Sequence, residues 1–105
     1  MLTRKLLIRP EAETEIVEAH NWYKLQAEGL SSEFLRAIDA CLSALEREPL
    51  AYAVVYKHVR RAMVRKFPYS IFFLYEQLDE ENERITVLAC FHGRRDPKQW
   101  QERAR

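Results

Sequence analysis

The chain has 105 residues and a formal net charge of +1, and 48% of its residues are hydrophobic while 31% are charged. This length suits one domain, and the composition is typical of a globular protein, which excludes a disordered or fibrous chain. Because the net charge is small, any affinity for nucleic acid has to come from local clusters of basic residues. We expect a single domain spanning residues 1–105.

The sequence also predicts the cellular compartment in which the protein acts. The longest uncharged run near the predicted sheet, residues 67–75, is far shorter than the roughly 20 residues that a membrane helix needs. No apolar segment typical of a signal peptide follows the N-terminal residues. Cys41 and Cys90 lie in apolar segments, where buried free thiols are expected rather than a disulfide. We therefore predict a cytoplasmic protein that has no membrane partner.

A short strand and an amphipathic helix are predicted first. Residues 3–9 are partly apolar and precede Pro10, whose fixed φ suits the first position of a helix. Three glutamates follow at once and complement the positive end of the helix dipole: Glu11, Glu13 and Glu15. The apolar spacing predicts one buried stripe, formed by Ala12, Ile16, Ala19 and Tyr23. Gly29 is expected to end this helix.

A second helix should follow closely, with Ser31 or Ser32 as its N-cap and Pro49 as its end. Its predicted buried stripe consists of Phe34, Ile38, Cys41 and Leu45. Because few residues separate the two helices, we expect an antiparallel hairpin. Neither helix can bury its stripe alone, so the hairpin should pack on a sheet.

The second half of the chain is rich in aromatic and β-branched residues, which favour strands. Four strands are predicted, over Ala53–Val59, Arg60–Phe67, Ser70–Leu78 and Arg84–Phe91. Pro68 cannot donate to a ladder and marks a turn, and Asp96-Pro97 is a start signal for a short helix through Trp100. The predicted fold is α+β: an N-terminal strand, an antiparallel two-helix hairpin, a four-stranded antiparallel meander and a short C-terminal helix.

Basic residues are concentrated in and around the predicted strand Arg60–Phe67. No acidic residue occurs from Leu50 to Tyr75, whereas this segment contains Lys57, Arg60, Arg61, Arg65 and Lys66. Alternation along the predicted strand places Arg61 and Arg65 on one face of the sheet and Arg60 and Lys66 on the other. The pattern is typical either of a solvated surface or of a surface that binds an anion, and the absence of acidic residues speaks for the second interpretation.

Two further places are candidates for chemistry or binding. His92 follows the last predicted strand, as an acid or base for phosphodiester chemistry or as a residue that orders the turn by a hydrogen bond to Asp96 or the backbone. No second ligand pair accompanies Cys90 and His92, and glycine-rich phosphate loops are absent, so neither metal nor cofactor is predicted. Trp22 and Tyr23 form either a platform for a small molecule or the edge of the core, and packing is favoured.

Several short segments, taken in chain order, resemble a known family. They are Pro10-Glu11-Ala12-Glu13, Glu18-Ala19, Trp22-Tyr23, Gly29-Leu30, Phe34-Leu35, Ile38-Asp39, Pro49, Arg60-Arg61, Phe67-Pro68-Tyr69, and His92-Gly93-Arg94-Arg95-Asp96-Pro97 with Trp100. Together they resemble the RelE/ParE superfamily of type II toxin-antitoxin modules, and more closely its ParE-like branch. The resemblance implies a sheet backed by a helical hairpin, and a growth-arresting toxin that a cognate antitoxin neutralises.

The superfamily has two functional classes. RelE-like toxins cleave mRNA in the ribosomal A site, and the resemblance to them would make Arg65, with Arg61 or Lys57, neutralise the scissile phosphate while His92 moves protons. The sequence departs from that class, because residues 50–75 contain no glutamate base and no tyrosine follows His92. Enzymatic activity is therefore left open and is not favoured.

ParE-like toxins poison DNA gyrase, and this class is favoured. It implies a target-contacting surface formed by Arg60, Arg61, Arg65, His92, Arg94 and Arg95. The antitoxin is expected to wrap the helical hairpin and to add a strand to an exposed sheet edge. An inactive module that binds only its antitoxin is a third alternative. The expected assemblies are a toxin-antitoxin hetero-oligomer or a homodimer.

Overall fold

The computed structural model describes residues 2–104. In chain order the elements are β1 (Thr3–Ile8), α1 (Pro10–Gln26), α2 (Leu30–Arg47), a single 3₁₀ turn (Pro49–Ala51), β2 (Val54–Tyr56), β3 (Val59–Met63), β4 (Tyr69–Gln77), β5 (Asn82–His92) and α3 (Lys98–Gln101). This order confirms the predicted α+β fold, including the short helix around Trp100. Within the described residues, no helix is long and apolar enough to cross a membrane.

The helical hairpin buries the predicted stripes, except that Ile16 of α1 is only partly buried. The buried side chains are Ala12, Ala19 and Tyr23 of α1 and Phe34, Ile38, Cys41 and Leu45 of α2. The predicted serine cap of α2 is wrong, because α2 begins at Leu30 and no side chain caps its first turn. Gly29 instead precedes the helix with a φ of 81°, a left-handed conformation that glycine adopts without steric cost.

Strands β2 to β5 form the predicted antiparallel meander. β1 extends the sheet by pairing in parallel with β5, with Thr3 opposite Asn82 and Ile8 opposite Val87. The strand order is therefore β1-β5-β4-β3-β2, which leaves β1 and β2 at the two edges. The hairpin lies between β1 and the meander in sequence, so it makes the crossover that a parallel pair requires.

The strand predicted over Arg60–Phe67 is shorter in the structure. It ends at Met63 rather than at Phe67, because the chain turns at once and Lys66 adopts a left-handed φ of 70°. Arg65 lies beside Lys66 in this turn and not on a strand face. The prediction that Arg65 shares a sheet face with Arg61 is therefore wrong.

The strand predicted over residues 53–59 is divided in two. Lys57 has a φ of 51° and forms a turn, so β2 covers only Val54–Tyr56 and β3 begins at Val59. The last two strands differ from prediction by one or two residues at their ends, which is the usual uncertainty of a boundary.

The two faces of the sheet are covered differently. The hairpin covers one face, where its stripes pack against Ala62, Ile71, Phe73, Ile85, Val87 and Cys90. The short C-terminal segment covers part of the other face, where Trp100 and Ala104 pack against Val59, Phe72, Leu88, Ala89 and Phe91. The Trp100 ring stacks on Phe72 with the ring centres 4.1 Å apart. The predicted site residues are distributed over both faces and the turns between strands.

Candidate functional site

A small basic cavity lies on the sheet face opposite the hairpin. Its volume is about 240 Å³. Its polar side chains are Arg61, Ser70, His92 and Arg95, and its apolar wall includes Phe72, Phe91 and Trp100. Alternation along β3 explains the position of Arg61: Ala62 and Val64 point into the core beneath the hairpin, so Arg61 and Met63 point the other way.

Arg61 supplies an exposed positive charge to this cavity. It lies opposite Phe72 of β4 in the ladder, which places its side chain beside an aromatic wall. Among the ion pairs formed by residues 2–104, none involves Arg61. Its guanidinium is therefore available to an external anion or to an acidic side chain of a partner.

His92 is held by two contacts at the end of β5. Its ring packs edge-on against Tyr69, with the centres 5.2 Å apart. Its Nδ1 accepts a hydrogen bond of 3.0 Å from the backbone N–H of Arg94. This contact is the backbone hydrogen bond that the sequence suggested, and it leaves Nε2 as the ring nitrogen that can meet a ligand.

Arg95 is less free than the sequence suggested. Its guanidinium lies 3.2 Å from Oε2 of Glu15, binds Oε1 of Gln99 and rests over the Phe91 ring at 4.0 Å from the centre. The side chain is still 42% exposed, so one part of it borders the cavity. The ion pair of Arg95 with Glu15 therefore holds the turn after β5 against α1.

Glu15 is the residue that the sequence analysis missed. Its buried carboxylate accepts hydrogen bonds from the backbone N–H of Cys90 at 3.1 Å and from Arg103 at 2.9 Å, besides the pair with Arg95. Arg103 also donates to the carbonyl of Leu88. β1 pairs with β5 only as far as residue 87, so these two side chains satisfy the part of the β5 edge that follows.

One signal for Glu15 was present in the sequence. It lies three residues after Ala12 and four before Ala19, on the buried stripe of α1. A carboxylate on such a stripe needs a buried partner, whereas its position near the helix start suggested only a dipole effect.

The comparisons with known proteins agree with this architecture. A family model described as "ParE toxin of type II toxin-antitoxin system, parDE" matches residues 6–97. The chain belongs to the ParE toxin family. It is 29% identical over 97 residues to Toxin ParE2 of Mycobacterium tuberculosis, in strains CDC 1551 / Oshkosh and ATCC 25618 / H37Rv, a match that covers 91% of this chain and 88% of the relative.

A solved structure has the same fold. It is the chromosomal ParDE TA system from P. aeruginosa, which superimposes with a TM-score of 0.61 at 14% sequence identity and covers 85% of this chain and 95% of that one. These matches confirm the predicted membership in the ParE-like branch, and this chain is a type II toxin of the ParE family.

In this ParE-family toxin the remaining predicted site residues lie apart from the cavity. Arg60 donates a 2.6 Å hydrogen bond to the carbonyl of Tyr52 and thereby fixes the segment before β2. Arg65 and Arg94 are exposed in turns. Lys57 lies in the β2-β3 turn, with its Nζ 5.4 Å from the Tyr56 ring centre. The structure brings the side chains of Arg61, His92 and Arg95 together in the cavity. Arg94 lies in the adjoining turn with its side chain outside the cavity, and Arg60, Arg65 and Lys57 do not line it either.

The two thiols of the ParE-family chain are buried and free, as predicted. Burial raises the pKa of Cys41 to about 11 and that of Cys90 to about 12. Both thiols are therefore protonated near neutral pH and are poor nucleophiles. Residues 2–104 contain no group of three side chains arranged to hold a metal ion.

Proposed function

We propose that this ParE-family toxin arrests growth by binding DNA gyrase, and that it does so without cleaving RNA. The proposed contact surface is the basic cavity with its neighbouring turns. Arg61 and His92 supply the donors inside the cavity, and Arg65 and Arg94 supply exposed charges in the two turns. Arg60 and Arg95 support this surface by positioning the chain around it.

One observation carries the preference against a nuclease. The cavity around Arg61 is lined by cations, aromatic rings and small residues, with no carboxylate among the described side chains that form its wall. A general base has to stand within hydrogen-bond reach of the proton that it removes. The imidazole in this wall, His92, accepts from Arg94 N–H at Nδ1, so its neutral form carries the proton on Nε2 and presents a donor to the cavity. Lys57 and Arg65, the other candidates for phosphate binding, lie in the turns at opposite ends of β3. This separation does not support a shared catalytic centre.

We further propose a cognate antitoxin as the partner that neutralises this cytoplasmic toxin. The family is that of the toxins of parDE modules, whose members have antitoxins. The outer edge of β2 carries exposed Val54 and Val55, and an added strand would satisfy its backbone groups. An antitoxin segment on the hairpin and a strand at this edge would form a hetero-oligomer.

The test compares two activities of the purified protein. The wild-type chain is incubated with gyrase, ATP and supercoiled plasmid, and separately with a translating extract in which message ends are mapped. We expect stabilised gyrase-DNA cleavage and intact message. Arg61→Ala should reduce the cleavage signal at least about tenfold, since a desolvated cation at a contact is worth about 1.5–3 kcal/mol. Arg36→Ala, an equal charge change on the exposed side of α2, is the matched control.

Codon-positioned cuts in the message, together with no gyrase-dependent cleavage, would overturn the proposal. The variant His92→Ala further distinguishes a gyrase-binding toxin from a nuclease. Loss of a general acid or base lowers a rate by roughly 10²- to 10⁴-fold. As one donor of a contact surface, His92 should change gyrase inhibition by less than about tenfold when it is lost. A loss of message cleavage of roughly 10²-fold or more in a folded variant would instead make His92 catalytic.

A further inference from the structure

A second cavity, of about 550 Å³, lies between α1 and the adjoining ends of β4 and β5. Its aromatic wall consists of Trp22, Tyr23, Tyr69 and His92. Neighbouring rings meet edge-on, at centre distances of 5.1 Å for Trp22–Tyr23, 6.3 Å for Tyr23–Tyr69 and 5.2 Å for Tyr69–His92. We call this cavity the aromatic groove.

The depth of the aromatic groove follows from two short side chains. Ala19 and Cys90 also line it, and both are buried. Burial keeps the Cys90 thiol uncharged, so this part of the lining is apolar. Trp22 stands at the opening with 55% of its surface exposed. A large exposed aromatic ring beside a concave apolar surface is typical of a place where a partner inserts a side chain.

The two carboxylates of the aromatic groove differ in their surroundings. Glu15 is buried and already accepts hydrogen bonds from Cys90 N–H, Arg95 and Arg103, so its charge is balanced internally. Glu18 is exposed, one helical turn before Trp22, and forms no ion pair with any other residue of the described range 2–104. Arg95 also lines the aromatic groove, but its guanidinium is paired with Glu15. The rim therefore has one unpaired negative charge, at Glu18, next to one open aromatic face.

We propose that the aromatic groove binds an arginine side chain of the cognate antitoxin. This inference rests on the proposed toxin-antitoxin function and names the chemistry of one contact within it. A guanidinium is planar, stacks on an indole face and forms two parallel hydrogen bonds with a carboxylate, and its aliphatic stem suits the apolar wall. Trp22 and Glu18 supply the first two partners, and Ala19 and Tyr23 supply the wall.

Other side chains fit the aromatic groove less well. An apolar side chain would take Glu18 partly out of water without giving it a partner, which is unfavourable. A lysine ammonium is more strongly hydrated and lacks the planar surface that stacks on indole. An acidic side chain would meet Glu18 as a like charge. Arginine alone among these satisfies the ring and the carboxylate at once.

The first experiment tests the aromatic groove without any antitoxin. N-acetyl-arginine amide is titrated into the isotope-labelled toxin, and the indole N–H signal of Trp22 is followed by NMR. The neutral isostere N-acetyl-citrulline amide and N-acetyl-leucine amide serve as comparison probes. We expect saturable binding of the arginine probe in the millimolar range, and at least about fivefold weaker binding of the other two.

Variants of the toxin identify the side chains that bind the arginine probe. Glu18→Gln should remove the preference for arginine over citrulline, and Trp22→Ala should abolish binding of the arginine probe. Glu13→Gln, an exposed glutamate of the same helix away from the aromatic groove, should change neither. Equal binding of arginine and citrulline by the wild type, or tighter binding of leucine, would rule out the proposed occupant.

The second experiment uses the complete toxin-antitoxin complex. Each arginine of the antitoxin is replaced by methionine, and affinity is measured with the wild-type toxin and with the Glu18→Gln variant. We expect one antitoxin arginine whose loss weakens binding at least about tenfold to the wild type and less than about threefold to the variant. Additive losses at every arginine would contradict the inference.

The two proposals can fail separately. If the chain poisons gyrase and binds its antitoxin with an affinity that Glu18→Gln and Trp22→Ala leave unchanged, the toxin function stands and the arginine contact does not. If the arginine probe binds while gyrase, message and growth are all unaffected, the aromatic groove is a real site and the proposed function is wrong.

Discussion

The two faces of the sheet are covered by elements of very different size. Two helices of 17 and 18 residues cover one face, whereas a four-residue helix and its flanks cover part of the other. The first face is closed by interlocking rings, among them Phe34 within about 5.4 Å of Tyr23, Phe67 and Tyr69. The second face leaves Met63 exposed, and it leaves Arg61 exposed in the cavity that Trp100 also lines. This difference predicts that stability resides mainly on the first face and that the proposed gyrase contact lies mainly on the second.

The largest expected effect is on the hairpin face. Phe34 is fully buried, so Phe34→Ala should lower the free energy of unfolding by about 4 kcal/mol, as large-to-small changes in cores do. Trp100→Ala on the opposite face should cost less than the usual large-to-small change in a core, about 2 kcal/mol, because α3 is short and can relax around the gap. Urea unfolding of both variants measures the two values. Equal losses of unfolding free energy in the two variants would contradict the expectation that stability resides mainly on the hairpin face.

A smaller loss is expected at the junction between the faces. Glu15→Gln keeps the shape of the side chain but leaves Arg95 and Arg103 without their carboxylate. The free energy of unfolding should fall by about 2 kcal/mol, less than for a fully buried pair because Arg95 is 42% exposed and partly screened by water. Glu13→Gln on the same helix should stay within about 0.5 kcal/mol of the wild type. A similar result for both variants would exclude Glu15 as a structural junction.

The third effect concerns acid stability on the hairpin face. The hydrogen bond from Tyr75, followed by the hydrogen bond from Arg4, holds the pKa of Glu83 below its usual value of 4.5. Because the unfolded chain takes up this proton at higher pH than the folded chain, the contribution of Glu83 is complete above pH 4.5 and is lost as pH falls through the folded pKa.

Tyr75→Phe removes the largest cause of that shift. The pKa of Glu83 should then move up toward 4.5, and the loss of stability on acidification should become shallower than in the wild type. Unfolding free energies measured from pH 6 down to pH 3 give the slope. An unchanged slope would show that Arg4, and not Tyr75, controls this carboxylate.

The smallest effect on stability is expected at the exposed cations. Arg65→Ala should change the free energy of unfolding by less than about 0.5 kcal/mol, since Arg65 is exposed in a turn and forms no ion pair within residues 2–104. The same variant should weaken gyrase inhibition severalfold. A variant that is destabilised and fully inhibitory would reverse the proposed division between the faces.

Local patterns in the sequence were enough to predict the framework. The buried stripes of both helices follow from spacing alone, since Phe34 and Ile38 repeat with the helical period and both prove to be buried. The meander follows from β-branched and aromatic segments separated by turns. The end of β3 was mispredicted because Lys66 adopts a backbone conformation that its residue type does not favour.

The candidate site was only partly predictable, because its contacts join distant parts of the chain. Glu15 meets Cys90, Arg95 and Arg103, which lie 75, 80 and 88 residues further along. No local sequence pattern predicts contacts between residues so far apart in the chain. Arg95 was therefore interpreted as a surface cation like Arg94, although the fold brings a buried carboxylate to it.

The parallel pairing of β1 with β5 also affects synthesis. Arg4 and Glu83, which bind each other across these strands, are 79 residues apart, so the ribosome has made most of the chain before the first strand has a partner. The helices emerge earlier, and their apolar stripes have no sheet to pack on until the later strands are made. An unfinished polypeptide therefore lacks His92 and Arg95, so the cavity proposed to contact gyrase can form only when the chain is nearly complete.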